Sequence, residues 1–125
     1  MRDDKENIIV KLTFEFSLDI MTFAEELEEK KKYVFANQIL KAGTSIGANV
    51  SEAQNAESKA DFIHKMKICL KELKESQIAL QIIRRKPLIS ENAELEQCIS
   101  ECNELIAIFL KSIDTANQNS RNEKH

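Results

Sequence analysis

The chain has 125 residues, with only two glycines, one proline and no tryptophan, and 31% of it is charged. That length suits one domain with one core, and the shortage of turn and strand formers excludes an all-β architecture in favour of helices. The net charge is −3 with a pI near 5.5, and no run approaches the roughly 18 apolar residues of a membrane span, so no membrane association is expected.

The opening stretch MRDDKENIIVK is acidic and lacks the apolar core of a signal peptide. Residues 1–8 therefore read as a flexible N-terminus, and the protein is expected to stay in the cytoplasm. Apolar periodicity predicts helix 1 over about residues 9–29, with Leu12, Phe16, Ile20, Phe23 and Leu27 as its core row.

Helix 2, predicted over residues 33–54, contains QILKAGTSIGANVSEA. Gly43 and Gly47 lie one turn apart, and each costs about 1 kcal/mol against alanine in a helix interior. A polar row, Gln38, Lys41, Ser45, Asn49 and Glu52, runs beside the apolar row Phe35, Ile39, Ala42, Ile46 and Ala53, offset by about 95° around the helix. That row is either a solvated flank or a seam bonded to a neighbouring helix or subunit, where polar groups would set register and partner choice. The small residues Ala42, Gly43, Ser45, Gly47 and Ala48 would admit that neighbour closely, so a branched side chain at Gly47 is expected to disrupt the packing.

Helix 3 is expected to start at Ser58, which has a capping-box spacing to Asp61, and to stop at Pro87. Its core row is Phe62, Met66, Cys69, Leu70, Leu73 and Leu80. Ser90 is read as the cap of helix 4, which is expected to run to residue 116 on Leu95, Cys98, Ile99, Cys102, Leu105, Ile106, Phe109 and Ile113. Glu91, Glu94 and Glu96 at that start, and Arg84, Arg85 and Lys86 at the end of helix 3, suit the helix dipoles. Residues 117–125 are polar and read as a disordered tail. Long helices with short connections imply an antiparallel up-down-up-down four-helix bundle over residues 9–116.

A remainder is left over. Phe14, Leu18 and Met21 lie roughly 160–180° from the core row of helix 1, and Ile78 and Ile82, with Ile68 further back, do the same on helix 3. A bundle has one interior, so these second apolar faces are read as an oligomer interface.

No enzyme signature is present: no Gly-rich phosphate loop, no nucleophile elbow and no helix with paired metal ligands. No catalytic residue, metal, cofactor or small-molecule substrate is expected. Neither His64 nor His125 has a glutamate three residues before it, as a di-iron bundle would require. Cys98 and Cys102 lack histidine partners, so packing explains them better than a metal.

Charge is segregated along the chain. Residues 1–29 carry −6, residues 30–87 carry +7, and residues 88–125 carry −4. Either packed helices neutralise one another, or the basic middle faces nucleic acid or an acidic partner. Lys67, Lys71 and Lys74 form one stripe, Lys30, Lys31 and Lys32 crowd the turn before helix 2, and Arg84 and Arg85 lie at the end of helix 3. The seven aromatic residues are not interleaved with them as a base-stacking platform requires.

The segment QILKAGTSIGANVSEA, followed by SKADFIHKMKICLKELKES, resembles the bacterial four-helix-bundle family encoded in intervening sequences of 23S ribosomal RNA genes, some of whose members carry a ribosomal-protein label. It is also similar to the accessory proteins of diversity-generating retroelements. The resemblance covers residues 8–116 and is carried by Gln38, Ser45, Ile46, Asn49, Glu52, Asp61, Phe62, Leu70 and Glu72. The family commonly has arginine where this chain has Lys41, and aromatic residues near Ile78 to Leu80, which are aliphatic here. The resemblance implies a homopentameric barrel of four-helix bundles, and it suggests contact with RNA or a ribonucleoprotein. Two functions are then expected in competition: an oligomeric scaffold or adaptor that binds RNA weakly through its basic middle helices, or a self-assembling protein-interaction module with no nucleic-acid role.

Overall fold

The computed structural model describes residues 4–86 and 93–123. Over these the chain forms α1 (Asp4–Glu29), α2 (Tyr33–Gln54), α3 (Lys59–Arg85) and α4 (Ala93–Glu123). Each helix packs on the next and α4 returns to α1, while the diagonal pairs α1/α3 and α2/α4 make no close approach among the described residues. This is the antiparallel up-down-up-down bundle. No helix is long and apolar enough to cross a membrane among the described residues.

The turns follow from local chemistry. Lys31 adopts φ 62°, with its N–H donating to Glu28 O at 2.9 Å and the Lys32 N–H donating to Leu27 O at 2.8 Å. This pair of bonds is a Schellman ending with lysine in the left-handed position that glycine usually fills. At the start of α3, Ser58 Oγ accepts from Asp61 N at 3.1 Å, and Asp61 Oδ2 accepts from Glu57 N at 3.2 Å. The expected capping pair thus forms, with aspartate reaching one residue further back than in the usual box. The stop at Pro87 and the cap at Ser90, with Glu91 beside it, lie outside the described residues.

The core draws on all four helices. Phe16, Phe23 and Phe109 have no exposed surface, and Ile39, Ile46, Met66, Leu73 and Leu80 are equally enclosed. Burying each such side chain contributes about 1.5–3 kcal/mol. Leu12, Phe62, Leu70 and Ile106 sit at the margin, half-buried against the core, while Ile9, Ala24, Ala36 and Val50 join its interior. Cys69, Cys98 and Cys102 are buried and free. Burial pushes the thiols of Cys69 and Cys102 up to about 12 and that of Cys98 higher still, so all three are neutral packing groups.

Both ends of the domain are more helical than expected. The backbone of α1 begins at Asp4, although residues 1–8 read as flexible, and α4 runs to Glu123, seven residues past the expected stop at 116. Neither stretch contains a glycine or proline to end a helix. In α4, Gln118 Nε2 also donates to Asp114 Oδ2 at 3.2 Å. Ala116 and Asn119 of α4 line a cleft with Ala53, Ala56, Ser58 and Phe62.

Candidate functional site

The two glycines of α2 have different surroundings. A Cβ at Gly43 would stand 2.9 Å from Ile20 Cγ2 and 3.4 Å from Ile20 Cβ on α1. Only glycine leaves room for the Ile20 side chain at this distance, and Ser17 Oγ closes the contact by donating to Gly43 O at 3.0 Å. At Gly47 the corresponding Cβ would meet Ser17 Oγ at 3.5 Å, an ordinary contact. The close packing expected at both glycines therefore falls on Gly43, and the neighbour that needs it is α1.

The polar row of α2 faces α3 instead. Gln38 and Lys41 line a groove with Glu72, Glu75, Ser76 and Ala79. Asn49 Nδ2 is half-buried and donates to Ser45 O at 2.9 Å, within its own helix. Glu52 Oε2 stands 3.8 Å from Lys65 Nζ on α3, which lies as far from Asp61 Oδ2. Of the five residues, only Glu52 bonds across to the neighbouring helix among the described residues. At that distance and exposure the pair adds little, about 0–1 kcal/mol.

Outside the closed core, apolar side chains form ridges. Phe14 is 64% exposed and Ile78 60%, and Leu18, Met21 and Ile82 are also open to solvent. Phe14 borders a groove between α1 and α2 of about 410 Å³, lined by Thr13, Ser17, Gly47, Ala48, Ser51 and Gln54 among others. Two polar atoms at this groove, Thr13 Oγ1 and Gln54 Oε1, are buried and have no hydrogen-bond partner. Neither the groove nor these atoms were foreseen from sequence. Tyr33, Val34 and Leu110 are further exposed apolar residues that the periodicity did not single out.

The outer ridge of α3 changes character along its length. Lys67, Lys71 and Lys74 are exposed and continue at helical spacing into Ile78 and Ile82. Beyond them, Arg85 and Lys86 border a shallow trough with Gln77 and Gln81. Arg84 is already engaged: its Nη1 donates to Glu96 Oε1 on α4 at 2.9 Å and its Nη2 to Gln81 Oε1 at 2.8 Å. Among the described residues, no three histidine, cysteine or acidic side chains stand where they could hold a metal ion.

The geometry defines a four-helix-bundle protein whose accessible features are outer ridges and shallow grooves. The chain belongs to the 23S rRNA-intervening sequence protein family, which it matches over residues 5–111. It is similar to the crystal structure of a protein with unknown function from the S23 ribosomal protein family of Bacteroides thetaiotaomicron. The two are 34% identical with a TM-score of 0.81, over 88% of this chain and 98% of that one. No curated protein matches the chain.

Proposed function

We propose that this chain is a non-enzymatic scaffold that assembles into a homo-oligomeric ring, a pentamer, and contacts structured RNA or a ribonucleoprotein weakly through its basic middle helices. The observation that carries the reading is the pair of apolar ridges on α1 and α3, exposed although the core beneath them is complete. These helices are diagonal in the bundle, so their outer faces point in opposite directions. Two different patches on opposite sides suit a head-to-tail contact, and such contacts form a ring when the rotation between successive copies closes. The number five is what the family resemblance implies. Phe14 and the groove beside it, lined by Thr13 and Gln54, give a neighbouring copy an apolar side chain and a recess to engage.

The RNA part of the proposal rests on charge. Residues 30–87 carry +7, and the Lys67, Lys71 and Lys74 ridge is exposed. Lys31 keeps a cation at a backbone position where glycine would be unstrained. A ring would repeat each weak patch, and avidity would strengthen the contact. The competing reading, a protein-interaction module without a nucleic-acid role, is supported by the net charge of −3 and by the engagement of Arg84 with Glu96.

A gel-shift titration with structured RNA separates the two. Binding is expected at about 50 mM salt and should be largely lost by about 200 mM. Changing Lys67, Lys71 and Lys74 together to glutamate should abolish it. No shift at high micromolar protein and low salt would favour the protein-partner reading.

A further inference from the structure

The seam between α1 and α4 is lined by carboxylates. Glu15, Asp19 and Glu26 lie along one face of α1, and Glu94 and Glu101 along the facing side of α4. Gln97 bridges the helices, its Nε2 donating to Asp19 Oδ2 at 3.4 Å. One oxygen each of Glu94 and Glu101, the Oε1 atoms, is buried without a hydrogen-bond partner. The groups that face Glu101 are Asp19 and Glu15 from α1 and Gln97 from its own helix. On its other side α4 meets α3 through the Arg84–Glu96 ion pair and the Gln77–Asn103 hydrogen bond.

Two carboxylates brought together at a partly desolvated seam cannot both stay ionised cheaply, and a shared proton removes the repulsion. We propose that the α1–α4 seam is a proton-operated clasp. A proton held between Asp19 and Glu101 ties the first and last helices together, and its loss sets carboxylate against carboxylate and loosens them. The α1–α4 pairing is the sparsest of the four helix contacts, so it is where a change of charge has the most leverage. This clasp is independent of RNA binding and of assembly.

Burial, followed by the hydrogen bond and charge of Asp19, pushes the Glu101 carboxyl from 4.5 up to about 7. Burial also raises Glu94, with Asp19 and Glu26 adding to the effect. Because the folded-state value lies above the unfolded one, the stability supplied by the proton is fully present below about 4.5 and is lost as pH rises through about 7.

The direct test is a carbon-detected NMR titration of the Glu101 carboxyl in the full chain, with thermal melts across the same range. The expected midpoint is near 7, and Asp19→Asn should move it down towards the ordinary carboxyl value. The melting temperature of the unaltered protein should fall by about 4 °C or more between pH 5 and pH 8. Glu101→Gln, which mimics the protonated form, should flatten that fall and melt higher at pH 8. A Glu101 midpoint near 4.5, or a Glu101→Gln variant that loses stability with pH as steeply as the unaltered protein, would overturn the clasp.

Discussion

A methyl group added at Gly43 would come within 2.9 Å of Ile20 Cγ2, and Ile20 is only 1% exposed, with little room to retreat. Overpacking of this kind costs about 1–3 kcal/mol, which exceeds the roughly 1 kcal/mol that alanine regains over glycine in a helix. Gly43→Ala should therefore lower the urea midpoint. Gly47→Ala should leave it unchanged or raise it, because its Cβ meets Ser17 Oγ at an ordinary 3.5 Å and the propensity gain remains. Equal loss in both variants would mean that Gly47 is also pressed against something, such as a neighbouring copy. Spacing revealed two small residues in the sequence, but only the position of α1 distinguishes them. The same holds for Thr13, whose enclosure depends on the groove beside it.

At the scale of the helices, local signals were read most faithfully where side chains and backbone bond nearby. The bounds of α2 and the Ser58 cap of α3 agree with the sequence reading, because periodicity and a three-residue cap spacing act within one turn. Ser58→Ala should cost about 1 kcal/mol, within a range of 0.5–2, by leaving the Asp61 N–H without its acceptor. A thermal melt followed by helicity checks this, and no loss would mean that Asp61 alone fixes the helix start. The outer ends of α1 and α4 were less legible. Polar composition reads as disorder, yet a polar stretch without a breaker continues a helix, and in α4 the hydrogen bond from Gln118 to Asp114 one turn back supports it.

For the whole molecule, the pairing of helices decides what each charge means. Glu15, Asp19, Glu94 and Glu101 look like ordinary solvated residues on their separate helices, and only the antiparallel register of α1 and α4 turns them into a seam. The bundle itself was legible because four apolar rows can close only one interior. The second apolar faces were legible for the same reason: Phe14, Leu18, Met21, Ile78 and Ile82 stay exposed in a complete bundle. Their proposed role in a ring is best tested by multi-angle light scattering at micromolar concentration. The proposed pentamer requires a mass about five times that of the 14.3 kDa chain, reduced to a single chain with helicity intact in Phe14→Glu. A stable 14.3 kDa particle from the unaltered protein would contradict it.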